Sequence, residues 1–182
     1  GDLRGNGATD ILLQGPDRTL RVLDPASGSL EQLLTLAPGW TVKGVANING
    51  TGKAEVIFQN NNGTVIALTE GGWRDLLTLA SGWEIVGFGD VTGGLADDFM
   101  FMNSNRVALF WDATQGSNGW KDFATIAPGW SIAGMFDLNG DGREDVLLRN
   151  DAGPAIYWTG NSWGDLGGVL TGTEFVGAGV FP

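Results

Sequence analysis

Four near-equal segments repeat along the chain, and that repetition restricts the fold more than any other feature of the sequence. Residues 35–40, 78–83 and 125–130 share the pattern Thr-(Leu/Ile)-Ala-(Pro/Ser)-Gly-Trp. Residues 169–173 keep the glycine and put threonine in place of the tryptophan. An apolar, glycine-containing run follows each, at 42–46, 85–89, 132–136 and 175–179. An Asx/Gly-rich turn then begins at Asn47, Asp90 and Asp137, and a matching turn begins at Asp2, at intervals of 45, 43 and 47 residues. The repeat units run roughly 2–46, 47–89, 90–136 and 137–180, so a single domain spans 1–182.

Each unit reads as four short strands. In the third, Asp98–Met102 is followed by a turn at 103–105, a strand at Val107–Trp111, a Gly/Ser/Asn-rich loop and strands at Trp120–Ala127 and Ser131–Phe136. The second unit repeats this with 56–58, a turn at 60–63, and 65–68. Leu30–Ala37 would pass for a helix alone, but its equivalents place Trp73 and Trp120 after glycine over only eight residues, so a strand is expected. Strands of four to eight residues with frequent turn signals indicate an all-β chain. A period of ~40–45 residues with four strands per unit is that of a β-propeller blade. The expected fold is therefore all-β: a β-propeller of four blades of about 45 residues each, by the repeat length of such blades. Phe175–Val180 would close the ring as the C-terminal strand beside Thr9–Leu13. A homodimer pairing two chains into an eight-bladed ring, and a piece of a seven-bladed one, are alternative readings.

Composition supports this reading and excludes several functions. Thirty-one glycines and eight tryptophans suit tight turns between well-packed strands rather than a helical bundle. The chain has no cysteine and no histidine, which removes disulfides, thiol nucleophiles, ordinary zinc sites and every Ser-His-Asp triad. No enzyme activity is expected. A net charge of −11, with ten scattered Lys and Arg, argues against nucleic acid and acidic membrane surfaces as partners. No apolar run is long enough for a membrane-spanning helix, so no membrane insertion is expected. The chain opens Gly1-Asp2 and reads as a fragment or processed product; acidic, cysteine-free sequences suit export.

The turn at Asp137–Asp145 carries the most specific chemistry. Asp137, Asn139, Asp141 and Asp145 put oxygen side chains at positions 1, 3, 5 and 9, with Gly142 at position 6, and the Arg143 carbonyl adds a donor. Ca2+ takes six to eight oxygens in flexible geometry, so this set can wrap it. Position 12 is Leu148, so the loop is not an EF-hand; a nine-residue strand-to-strand loop fits. The run 134–147, Gly-Met-Phe-Asp-Leu-Asn-Gly-Asp-Gly-Arg-Glu-Asp-Val-Leu, resembles the FG-GAP or VCBS repeat, which occurs in integrin α propellers and many secreted bacterial proteins. The resemblance implies a calcium-binding turn between the first two strands of a blade.

The other turns depart from the full set. Asp2, Asn6 and Asp10 form a weaker metal candidate, because Arg4 occupies position 3 with a cation that can replace calcium. Asn47, Asn49, Thr51 and Glu55 carry one charge; Asp90, Thr92 and Asp98 have Gly94 and Leu95 at positions 5 and 6. In these turns the side chains are expected to cap backbone N–H groups. Trp40, Trp83 and Trp130 are expected to pack between blades, whereas Trp73, Trp120 and Trp163 suit either core or rim. The function expected is a non-catalytic, calcium-stabilised extracellular binding or adhesion module, secreted or at the cell surface, with a protein or glycan ligand. The alternatives are a carbohydrate-binding lectin propeller and an accessory domain of a larger secreted enzyme.

Overall fold

The computed structural model describes residues 1–167; the closing strand read at 175–180 lies outside the described residues. The chain divides into two compact units, Gly1–Gly82 and Trp83–Pro182. In the first, β1 (Ile11–Gln14), β2 (Thr19–Leu23) and β3 (Leu30–Thr35) form a three-stranded antiparallel sheet. β4 (Trp40–Ala46), β5 (Glu55–Asn60), β6 (Thr64–Thr69) and β7 (Gly72–Thr78) form a four-stranded one. In the second, β8 (Trp83–Gly89), β9 (Asp98–Asn103), β10 (Val107–Trp111) and β11 (Trp120–Thr125) make one sheet, and β12 (Trp130–Phe136), β13 (Asp145–Asn150), β14 (Ala155–Trp158) and β15 (Trp163–Gly167) another. Every sheet is a meander with its strands in chain order, and the class is all-β.

Residues 30–35 are strand, as their equivalents imply: Leu23 pairs with Leu30 and Thr19 with Thr35. The loop expected after Trp111 instead holds 3-10 turns over Ala113–Asn118, broken at Gly116 (φ 56°) and capped by the Asp112 carboxylate, which accepts the Thr114 N–H at 2.9 Å.

The repeat is kept down to its irregularities. The pairing of first and second strands slips once in each four-stranded sheet, at Val42/Gly44, Ile85/Gly87 and Ile132/Gly134. A second slip recurs where the third strand meets the fourth, at Leu20/Arg21, Val65/Ile66, Ala108/Leu109 and Ala155/Ile156. Bulges of this kind raise local twist. Their recurrence shows that each unit encodes one strand geometry.

Burial is greatest in the second strand of each four-stranded sheet. Val56–Phe58, Phe99–Phe101 and Val146–Leu148 are buried on both faces, which is why these segments are continuous apolar runs without alternation. The outermost strands β3, β7, β11 and β15 are largely exposed. Within the first unit, Leu20 and Leu36 from the three-stranded sheet region join Val56 and Phe58 in one cluster, against which Trp40 packs. In the second unit, Met100, Phe110, Val146 and Leu148 do the same, with Trp130 against them. Trp40 and Trp130 thus pack between sheets, as read from their recurrence.

Two arginines in the left-handed conformation, Arg18 (φ 63°) and Arg106 (φ 66°), brace successive sheets within each unit. Arg18 donates to the carbonyls of Leu36, Ala37 and Trp40 at 3.1, 3.0 and 2.7 Å. Arg106 repeats this on Ile126 and Ala127 at 2.8 and 3.2 Å and also donates to the Trp130 carbonyl. Each guanidinium satisfies the carbonyls of the (Pro/Ser)-Gly-Trp turn type that the strands leave unpaired.

Phe58 is 1% exposed and meets Trp73 edge-on at 5.4 Å between ring centres. Phe58→Ala should cost about 3–5 kcal/mol in chemical denaturation, as for other large-to-small core changes; a loss below about 1 kcal/mol would mean that the cluster around it is not a packed core.

Candidate metal-binding turns

Number each Asx/Gly turn from 1 to 9: residues 2–10, 47–55, 90–98 and 137–145. The last three join the first strand of a sheet to its second, and the first leads into β1. Positions 4 and 6 are left-handed throughout: Gly5 and Gly7 (φ 72° and 82°), Gly50 and Gly52 (71° and 83°), Gly93 and Leu95 (79° and 66°), Gly140 and Gly142 (78° and 86°). Glycine adopts this conformation without a Cβ clash. The third turn holds it at position 6 with a leucine instead, so the surrounding bonds impose it.

The alternation turns successive N–H groups inward, onto the side chain at position 1. Asp2 accepts from Gly5, Asn6 and Gly7 at 2.7, 3.1 and 2.7 Å. Asp90 accepts from Gly93, Gly94 and Leu95 at 2.6, 2.8 and 2.9 Å. Asp137 accepts from Gly140, Asp141 and Gly142 at 2.7, 3.2 and 3.0 Å. Asn47 accepts from Gly52 at 3.3 Å. The capping role read for the first three turns is present, and Asp137, read as a metal ligand, makes the same contacts in the fourth.

Position 9 is a buried acid in all four: Asp10, Glu55, Asp98 and Asp145 are 4%, 3%, 1% and 1% exposed. A buried carboxylate is costly unless its oxygens are bonded. One oxygen accepts main-chain N–H groups of the same turn: from Leu3 and Arg4 at 2.9 and 3.0 Å, Ile48 at 3.0 Å, Thr92 at 2.8 Å, and Leu138 at 2.9 Å. The other faces the side chain at position 3, which is a donor every time. Arg4 lies 3.8 Å from Asp10, the Asn49 amide donates to Glu55 at 2.7 Å, the Thr92 hydroxyl to Asp98 at 3.2 Å, and the Asn139 amide to Asp145 at 3.5 Å.

Arg4 does more than its position in the turn requires. Its guanidinium also reaches Asp24 at 3.2 Å and Glu31 at 3.8 Å. The weaker candidate set is divided among separate partners: Asp2 on the N–H groups, Asn6 on the Ala8 N–H at 2.9 Å, and Asp10 on Arg4. The links to Asp24 and Glu31 have no signature in the turn's own sequence. The donor at position 3 does: Arg, Asn, Thr and Asn are all donors, each six residues before the buried acid.

The fourth turn has the longest position-3 hydrogen bond, 3.5 Å, and the largest number of acids. Asn139 Nδ2 stands 3.1 Å from Asp141 Oδ2 and 3.5 Å from Asp145 Oδ1, so two carboxylate oxygens converge on one amide. Asp141 Oδ1 accepts the Arg143 N–H at 2.9 Å. Burial pushes the Asp145 carboxyl above its ordinary range, and the charges of Asp141 and Asp137 push it further. Among the described residues no three acid, histidine or cysteine side chains are gathered on one point. The set here is instead two convergent carboxylates, an amide and a carboxylate one layer out on the N–H groups. Hard oxygen donors with uncompensated negative charge fit Ca2+, and the other three turns lack the second carboxylate at position 5.

Burial also dominates at Asp98, whose carboxyl is pushed up to about 6; the Thr92 hydrogen bonds pull the other way, and Asp112 and Asp90 add to the rise. Glu144, beside Asp145, is raised by burial and by Asp97 and Asp90. Its N–H donates to the Asp90 carbonyl at 3.0 Å, tying the fourth turn to the third, as Ala54 ties the second to the first through the Asp2 carbonyl at 2.7 Å.

No family model and no curated protein matches the sequence. Solved structures do match in fold. One is the extracellular domain of BT4673 from B. thetaiotaomicron, described as a one component system: it aligns with a TM-score of 0.51 at 13% identity, over 86% of this chain and 20% of that one. Another is BBS1N, solved in complex with ARL6DN, with a TM-score of 0.51 at 11% identity, over 91% of this chain and 51% of that one. The chain therefore spans about a fifth and about half of these two. At such identities the likeness is one of fold. No helix among the described residues is long and apolar enough to cross a membrane.

Asp98 gives a pH test. Its folded value of about 6 lies above the ordinary 3.8, so between those values the native state binds more protons than the unfolded one, and stability falls as pH rises through that window. Measured against Asp98→Asn, which does not titrate, the wild type should lose ground steadily from about pH 4 to about pH 6 and then level off. Denaturant melts of the pair across that range check this; curves that stay parallel would show that Asp98 is not raised above its ordinary value.

Proposed function

We propose that the chain is a non-catalytic, calcium-stabilised binding module of the FG-GAP/VCBS kind, acting outside the cell. The observation that carries this reading is the convergence of Asp141 and Asp145 on the Asn139 amide, in the one turn with acids at positions 1, 5 and 9. Asp137, Asn139, Asp141, Asp145 and the Arg143 carbonyl would hold Ca2+. The ion supplies positive charge where the position-3 donor to Asp145 is a neutral amide at 3.5 Å, and its role is structural. Extracellular calcium favours such a site, and an extracellular domain among the fold neighbours accords with that setting.

Four repeat units support a four-bladed ring. β1 occupies the place of β5, β9 and β13, yet Ile11 and Leu13 are 44% and 42% exposed where their equivalents Val56 and Phe58 are 1% and 1%. The run 175–180 carries its glycine, Gly177, in register with Gly44, Gly87 and Gly134, and so has the pattern of a first strand. Closure by that run would cover β1 and remove an open edge.

A binding role accords with the chemistry absent from the chain: it has no histidine or cysteine, and the raised carboxyl of Asp98 is engaged inside its own turn. The ligand is an extracellular protein or glycan. Trp73, Trp120 and Trp163, at the same place in three units, are 58%, 42% and 52% exposed and supply the aromatic surface that favours a glycan.

The deciding experiment is a thermal melt with calcium and with chelator, on the wild type and on Asp141→Ala. At free calcium ~100-fold above Kd the wild type should gain about 2.7 kcal/mol, or about 5–10 °C in Tm, and the variant should gain little. Equal melts with calcium and chelator would refute the calcium role.

A further inference from the structure

The cleft beside the third and fourth turns repeats one beside the first and second, with the internal charge pairs taken out. In the first unit a cavity of about 420 Å3 opens between the Leu3–Arg4 corner, β2 and β6. In the second a cavity of about 190 Å3 opens between the Val91–Thr92 corner, β10 and β14. Pairing fixes the correspondence. Ile11 faces Leu23 as Phe99 faces Trp111, so Val22 matches Phe110, and their partners Glu31 and Lys121 match. Val56 faces Leu68 as Val146 faces Trp158, so Leu68 matches Trp158, and Glu70 matches Gly160. Lys53 and Arg143 both stand at position 7 of their turns.

In the first cleft each cation has an acid of its own. Arg4 meets Glu31 at 3.8 Å and Lys53 meets Glu70 at 3.6 Å. In the second cleft Lys121 stands in place of Glu31 and Gly160 in place of Glu70, while Arg4 gives way to Thr92. Lys121 and Arg143 both line it, and among the described residues neither makes an ion pair within 4.0 Å. Asp122 also lines it, and the charge of Lys121 acts on Asp112 from a distance. Two cations in one small cleft are unexpected in a chain of net charge −11.

The floor changes in step with the charges. Leu68 becomes Trp158, held parallel to Phe110 at 5.9 Å and 14° and edge-on to Phe123 at 5.1 Å and 62°. That clamp fixes the indole while leaving it partly exposed. Thr92, Asp122 and Asn161 place a hydroxyl, a carboxylate and an amide around it. A volume of about 190 Å3 is below the ~300–1,000 Å3 of pockets for drug-sized ligands, which leaves room for a single ring.

We propose that this cleft binds one acidic sugar residue, with the C–H face of its pyranose on Trp158 and its carboxylate toward Lys121 and Arg143. The ligand's carboxylate supplies the charge that Glu31 and Glu70 supply internally in the first cleft. A neutral sugar would leave both cations unanswered, and a simple carboxylate would leave the indole bare. This inference rests on the binding-module reading and names its ligand class. Arg143 belongs to both sites: its carbonyl is a donor in the calcium turn, while its guanidinium lies over the left-handed Gly93, where a side chain would otherwise stand.

The test is a 1H–15N NMR titration of the full chain, calcium present, at constant ionic strength, with sodium D-glucuronate, D-glucose and sodium acetate. Glucuronate alone should shift the signals of Thr92, Lys121, Asn161 and the Trp158 indole. Trp158→Leu and Lys121→Glu install the residue types with which the first unit folds, and each should weaken binding by about tenfold, while signals away from the cleft stay dispersed as in the wild type. Equal response to glucose, equal response to acetate, or no response at these positions overturns the proposal. A calcium-dependent melt on the same sample separates the two levels: stabilisation by calcium without a glucuronate response overturns the cleft alone, and absence of both overturns the module as well.

Discussion

A buried carboxylate at the ninth position of each Asx/Gly turn holds the repeat together. Asp10, Glu55, Asp98 and Asp145 sit where the turn meets the second strand, nearly free of solvent, and an isolated charge there would cost several kcal/mol. The turn exists in the form it has because that charge must be answered. One oxygen takes main-chain N–H groups from the start of the turn; the other takes a hydrogen bond from the side chain at position 3 in three turns and faces the Arg4 guanidinium at 3.8 Å in the first. The left-handed residues at positions 4 and 6 follow from bringing the chain back over this acid while the residue at position 1 collects the remaining N–H groups.

The four turns answer the same charge with different chemistry, and this is where the units diverge. A guanidinium serves in the first, an amide in the second, a hydroxyl in the third, and a distant amide together with a second carboxylate in the fourth. The consequences for Asp98 and Asp145 differ accordingly. A hydroxyl does not offset burial, so Asp98 is raised to about 6. In the fourth turn Asp141 adds charge of the same sign, so the acid there is less well answered by the protein itself. A cation from solution would supply that compensation, and this distinction among the four turns is the basis for proposing calcium at the fourth alone.

Much of the fold was legible in the sequence, because a period near 45 residues lets each segment be read against its equivalents. Leu30–Thr35 is ambiguous alone and becomes a strand once Trp73 and Trp120 are set beside it. The 3-10 turns over Ala113–Asn118 were not legible: they have no equivalent in the other units, and they depend on Asp112 as cap and on the Trp111 indole donating to the Gly116 carbonyl at 2.7 Å. Burial of the tryptophans was only half legible. Trp111 and Trp120 are cross-strand partners stacked at 5.6 Å, yet one is 5% exposed and the other 42%. Strand order in the sheet decides that difference, since Trp120 lies on the outermost strand, and a pattern of residue types does not reveal it. The spacing of Asn139, Asp141 and Asp145 made their meeting legible, whereas the reach of Arg4 to Asp24 and Glu31 belongs to the tertiary structure alone.

Repetition also explains how new chemistry can enter such a chain without loss of fold. The strand register and the buried acids are common to both clefts, so the residues between them are free to change in concert. Glu31 and Glu70 neutralise Arg4 and Lys53 in the first cleft and make it self-sufficient. At the same places in the second, Lys121 and Gly160 leave Arg143 without such a partner, and Trp158 supplies a broad aromatic floor. Charge satisfied internally contributes to rigidity, and charge left unanswered at a surface is available to a ligand. Because Arg143 is also the seventh residue of the turn proposed to hold calcium, an ion bound there would fix the main chain from which the guanidinium extends. On that proposal, order in the turn and readiness of the cleft would be linked through a single residue, across a distance of one side chain.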